Sequence, residues 1–228
     1  MKKILALFII LITIPLRAQD AVKEFKQVWT PRSLIFEDKK VSFNIDNQQE
    51  GKVQHLTGHF LISSNLYKAK ECVFTPSDPR KEEQRKSSLS ALTLKAVFIC
   101  KFLNKAEHLE YFTVEKVASN TYKLSPANTQ AEQLLKLVKD EKAHFIIKLN
   151  EKGEIYYTES YLSGKQNVSI KTWYNFTLMG DTFDWMFENE KNRDVPKDEI
   201  VTYFTKAEGK ITNKENQDYI NFKFEVKE

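Results

Sequence analysis

Apolar and polar residues alternate along most of the chain, which predicts β-strands. Leu34-Ile35-Phe36 and Val41 to Ile45 flank the turn-like Glu37-Asp38-Lys39-Lys40. Val53–Ser63 and Leu66–Thr75 follow, with Ser64-Asn65 between them as a two-residue turn. Residues 76–88 are the most polar stretch and read as an exposed loop. Leu89 to Leu103 is a long apolar run rich in β-formers, and 108–117 and 121–124 read as shorter strands. One segment has helical spacing: Thr129-Gln130-Ala131-Glu132 offers a capping box, and Leu134, Leu135 and Val138 recur three and four apart. That predicts one helix near 128–141, covering a sheet edge or barrel end.

Two hairpins are specified in detail. In the first, Asn150-Glu151-Lys152-Gly153 has turn chemistry, with Gly153 suited to the left-handed position of a three-residue loop. Pairing Asn150 with Glu154 sets Leu149 opposite Ile155 and Ile147 opposite Tyr157, so Phe145, Ile147, Leu149, Ile155 and Tyr157 share a face. In the second, Gly180-Asp181 is a Gly-first loop. Its pairing sets Tyr174 opposite Phe187, Phe176 opposite Trp185 and Leu178 opposite Phe183. A one-residue slip would turn every one of these side chains to the other face. Residues 198–206 fit helix or strand equally, Gly209 ends them, and Tyr219–Val226 is a closing strand. No repeat or Pro/Gly/Ser linker interrupts the chain. The expectation is a mainly β, single-domain fold over 20–228: an antiparallel meander forming a barrel or a strongly curved sheet.

The segment Tyr174 to Thr182, preceded by the Gly-containing turn 151–154, resembles the hairpin of bacterial secreted lipocalin-like (calycin-type) β-barrel proteins. The likeness covers about 45 of the 228 residues. The Gly-x-Trp pattern of a lipocalin start is missing, since Val28 precedes Trp29-Thr30. The resemblance implies a barrel fold, and it carries over no functional residue.

The first 19 residues change how the charge is read. Met1-Lys2-Lys3 is a positive start, Ile4–Leu16 an apolar run, and Arg17-Ala18-Gln19-Asp20 a polar exit. The run is shorter than the roughly 20 residues a membrane span needs, so it reads as a signal peptide cleaved after Gln19 or Ala18. The expected location is periplasmic or secreted, with no lipid-bearing Cys at the cleavage point and no membrane span in the mature chain. Losing Lys2, Lys3 and Arg17 takes Lys+Arg from 35 to 32 against 31 Asp+Glu. The apparent basicity is therefore a property of the leader, and no footprint for nucleic acid remains.

An oxidising compartment permits a disulfide between Cys72 and Cys100, both in segments read as β, with two separate buried thiols as the other reading. Signatures of hydrolases, phosphate loops and zinc proteases are missing, and no cofactor motif is present. Gly51-Lys52, Gly164-Lys165 and Gly209-Lys210 each read as hairpin turns. On a strand, His55 and His59 stand about 13 Å apart, too far to share a metal. Asp184 and Glu188 read as part of a solvated face. The expected function is a non-catalytic binding module for a small apolar ligand or lipid, with Tyr174, Phe176, Trp185 and Phe187 as ligand-lining residues. The same four aromatics otherwise pack a solid core. An envelope protein acting through protein partners is the alternative, and a hydrolase built from scattered residues the third reading.

Overall fold

The computed structural model describes residues 20–35, 39–62, 69–134, 142–178 and 199–227. In chain order the elements are a helix over 20–28 (α1), β1 (Leu34–Ile35), β2 (Lys40–Gln49), β3 (Lys52–Ile62) and β4 (Ala69–Thr75). Then come α2 (Glu82–Phe102), β5 (Phe112–Ala118), β6 (Thr121–Pro126), α3 (Thr129–Leu134), β7 (Lys142–Leu149) and β8 (Ile155–Ser163). The chain ends with β9 (Gln166–Leu178), β10 (Ile200–Asn213) and β11 (Tyr219–Val226).

All strands join one sheet in the order β4-β3-β2-β11-β10-β9-β8-β7-β6-β5, and β1 pairs in parallel with the start of β10. Every other pairing is antiparallel. The expected antiparallel meander is present, but among the described residues it does not close into a barrel: β4 and β5 are the two ends of the sheet. One face carries the core. Phe43, Ile45, Leu56, Phe60 and Phe74 come from β2–β4, Phe222 and Phe224 from β11, and Phe145, Ile147, Ile170, Tyr174 and Phe204 from the other wing.

The element against that face is α2, and it corrects the sequence reading twice. Residues 76–88 are not simply a loop, because the helix begins at Glu82, and Leu89–Leu103 is not a strand. Arg85, Leu89, Leu92, Thr93, Ala96, Val97 and Cys100 are its buried stripe, at three- and four-residue spacing. Glu82 and Glu83 in its first turn suit the positive end of the helix dipole. The Thr172 hydroxyl donates to the Ala96 carbonyl across the interface (2.7 Å). On the same face, α1 inserts Phe25 between Trp29 and Tyr122, with ring centroids 5.2 and 4.8 Å away.

The first hairpin has its expected turn, with Gly153 at φ +78° and the Asn150 amide donating to the Glu154 carbonyl (2.9 Å). Leu149 stands opposite Ile155, but Lys148 pairs with Tyr157 and Ile147 with Thr158. The extra residue, Tyr156, makes a bulge. Tyr157 is thereby moved off the core face predicted for it and onto the outer one. Gly209 is a second correction, since it lies inside β10 opposite Phe222 rather than ending the strand. A Cβ there would fall 2.8 Å from the Phe222 ring and 2.9 Å from Ile170. Residues 198–206 resolve into strand from Ile200 onward. Within the expected 128–141 helix, α3 covers Thr129–Leu134, and the remainder lies outside the described residues, as does the second strand of the Gly180-Asp181 hairpin.

The outer face carries charges of alternating sign. Glu159 stands opposite Lys171, Lys171 opposite Glu208, and Glu208 opposite Lys223, one residue from each of β8, β9, β10 and β11. Trp173 lies beside this row, with Lys206 over its ring (4.5 Å) and Tyr157 edge-on (5.1 Å).

Candidate functional site

The cleft that combines enclosure with an apolar floor lies between the first half of α2 and the wing β3-β2-β11. Its volume is about 190 Å³. Its origin is readable residue by residue. Core-facing positions of β2 run Val41, Phe43, Ile45 and then Asn47 and Gln49, changing from apolar to amide toward the Glu50-Gly51 turn. On β3, Leu56 stands opposite Ile45 and Gln54 opposite Asn47, while Ile220 of β11 also pairs with Asn47. From above, α2 supplies Leu89 and Leu92 to the floor, and Gln84, Arg85 and Ser88 nearer the mouth, beside Lys81. The result is a short apolar slot with an amide-rich, cationic entrance. Sequence reasoning missed it because it took α2 for loop and strand. The signal available was the 85-89-92-96 spacing.

Arg85 is buried, donates from Nη1 to the Pro76 carbonyl (2.8 Å) and lies over the Phe74 ring at 5.6 Å. Lys86 is committed elsewhere, to Glu82 (2.9 Å) and Glu83 (3.1 Å). Those two hydrogen bonds push its ammonium pKa above the usual lysine range.

Of the aromatics predicted to line a ligand site, Tyr174 is buried under α2. Its hydroxyl meets Thr158 (3.3 Å) and Cys100. Phe176 is half-buried and lies with Leu178 and Ile200 along an open depression beside the 150–154 turn. Trp185 and Phe187 lie outside the described residues, as do Asp184 and Glu188. The structure therefore brings Tyr174 and Phe176 onto one strand but not into the α2 cleft.

The expected Cys72–Cys100 disulfide is corrected: both thiols are free. Cys72, on β4, feels the charges of Lys86, Glu82 and Glu83 at the start of α2. Cys100 is 14 residues beyond Lys86 on that helix, about 21 Å along its axis at 1.5 Å per residue. Reading residues 98–101 as strand had removed that separation. Burial pushes the Cys72 thiol up to about 11 and the Cys100 thiol up to about 12, the latter against a hydrogen bond with Tyr174. Both are weakened as nucleophiles at neutral pH. Intact-mass analysis after maleimide treatment at pH 7 should show slow addition at Cys72 and none at Cys100. Both should react once the chain is unfolded without reductant, and a missing pair of thiols there would restore the disulfide.

On the outer face, Tyr157 and Tyr161 both donate to the Glu159 carboxylate. Burial pushes Glu159 up, but the two phenols, Lys171 and Lys148 outweigh it and hold the carboxyl below its usual range. The Glu159 hydrogen bond, then burial, raises Tyr161 to about 12, and Tyr157 is raised chiefly by burial. A phenol held protonated by the fold contributes stability that is complete below its unfolded pKa of about 10. That contribution is lost as pH rises from there through about 12. Urea unfolding at pH 9, 10.5 and 11.5 should therefore show falling stability, and Tyr161→Phe should make the fall shallower. An identical slope for the variant would remove Tyr161 from the account.

His55 and His59 lie on β3, and His55 Nδ1 is 2.7 Å from Asp46. Among the described residues, no group of three His, Cys, Asp or Glu side chains could hold a metal ion, and no helix is long and apolar enough to cross a membrane. No protein-family model, curated protein or solved structure matches the chain.

Proposed function

We propose that the protein is a non-catalytic binding module for a small apolar ligand or lipid, exported through its N-terminal segment and working in the periplasm or outside the cell. The observation that carries this reading is the cleft under α2. It joins a floor of Ile45, Leu56, Leu89, Leu92 and Ile220 to a polar mouth, the usual division of labour in small-molecule sites. At about 190 Å³ it is well above the roughly 10–15 Å³ that a single water needs, and it suits one short chain. Kinship to secreted lipocalin-like proteins belongs to the reading through Tyr174 to Thr182, with the ligand space under a helix instead of in a barrel mouth.

The test is titration with a neutral, polarity-sensitive apolar fluorophore such as N-phenyl-1-naphthylamine. Saturable brightening that 1-octanol reverses is expected. Ile220→Trp, which fills the cleft from its half-buried wall, should abolish it. No brightening, or brightening indifferent to Ile220→Trp, overturns the proposal. In that event the edges β4 and β5, which pair with no further strand among the described residues, favour the envelope-interaction reading.

A further inference from the structure

Resting on the binding reading above, we infer that the ligand is a single-chain amphiphile with an anionic oxygen head, a carboxylate or a phosphate, held by Arg85. A guanidinium at the edge of an apolar cleft can pair in plane with an anionic oxygen group that enters it. Arg85 is 9% exposed as a residue, while the guanidinium nitrogens that make no hydrogen bond still reach water. One of its nitrogens reaches the Pro76 carbonyl, and no carboxylate stands within ion-pair distance of it among the described residues. The nearby acids are engaged: Glu82 and Glu83 with Lys86, and Asp78 with Arg80 (3.5 Å).

The cleft lining repeats the imbalance. It holds two cations, Arg85 and Lys81, four amide side chains, Asn47, Gln49, Gln54 and Gln84, and no acid. Amides and a guanidinium donate to oxygen anions, and the planar guanidinium pairs with carboxylate or phosphate through two parallel hydrogen bonds. The apolar floor continues inward from Arg85 through Leu89 to Leu92 along the buried stripe of α2. A head at Arg85 therefore places its chain on the floor. A neutral apolar ligand would leave the guanidinium as it is, and a cationic one would be repelled by both lining cations.

Displacement of the fluorophore by octanoate, octyl phosphate, 1-octanol and inorganic phosphate tests this. A charge-assisted hydrogen bond predicts that octanoate or octyl phosphate displaces at roughly ten-fold or more lower concentration than octanol. The tighter of the two anions identifies the head. Arg85→Met should bring both to the level of octanol measured on the same variant, and Arg85→Lys should keep most of the preference. If octanol equals the anionic amphiphiles on the unaltered protein, the inference fails and the apolar-binding reading stands. If inorganic phosphate displaces as well as octyl phosphate, the chain is not recognised and the amphiphile is overturned. If the fluorophore itself does not bind, the broader reading falls first and takes this one with it.

Discussion

Phe60→Ala will lower stability by about 3–5 kcal/mol, the range for deleting a fully enclosed aromatic side chain. Phe60 has no exposed surface. Its ring contacts Phe43 at 6.0 Å and Phe224 edge-on at 5.7 Å, so one side chain ties β3 to β2 and to β11. The wing beyond it continues through Phe43 and Phe74. Both are paired with Gly58, and their rings meet across that glycine at 5.7 Å. A cavity at Phe60 cannot be closed by moving one neighbour without opening another contact. Urea unfolding followed by tryptophan fluorescence measures the loss. Val53→Ala, on the same strand but 45% exposed, is the control and should cost about 0.5 kcal/mol or less. Equal effects would place Phe60 outside the core.

Gly153→Ala will cost about 2–3 kcal/mol, combining the left-handed backbone with a lost hydrogen bond. Its φ is +78°, and a Cβ would lie 1.7 Å from the Val28 carbonyl oxygen. Relief requires the 28–30 segment to lift away, breaking the bond from the Thr30 amide to the Gly153 carbonyl (2.8 Å). Gly51 is the matched control, with φ +76° and nothing within 4 Å of a Cβ. Gly51→Ala should show the backbone cost alone, about 1 kcal/mol. Urea denaturation of the two variants separates conformation from collision. Gly153→Ala should also speed proteolytic release of α1, which that contact anchors. If the two alanine variants behave alike, the collision is without consequence.

Legibility followed the period of the pattern. Period 2 was read well where both neighbours were local, as in the Leu149–Ile155 pairing and the Gly153 turn. It failed one step further along, at Tyr157, because a bulge inserts a residue without any mark in the alternation. The larger miss was α2. Its apolar half, Leu89 to Leu103, contains Ile, Val and Phe in a density that also suits a strand, and its first two turns are charged enough to pass for a loop. Helical spacing was present, but it spans the junction between those two stretches. The candidate site depends on the same helix, so it was hidden with it. Arg85 in particular has no sequence signal of its own, since it becomes informative only once it is seen to line a cleft that holds no acid.

The alternating charges on the outer face act as a check on strand register. Hydrophobic alternation detects slips of one residue but not of two, because a shift of two keeps every side chain on its own face. Charge detects those. Lys171 stands opposite Glu208, and moving β10 by two residues either way would set Lys171 against Lys206 or Lys210. The same shift on the other side of β10 would set Lys223 against one of those lysines. Like charges directly opposite are destabilising, so the wet face adds its own penalty to a two-residue slip that leaves the apolar alternation of the dry face intact.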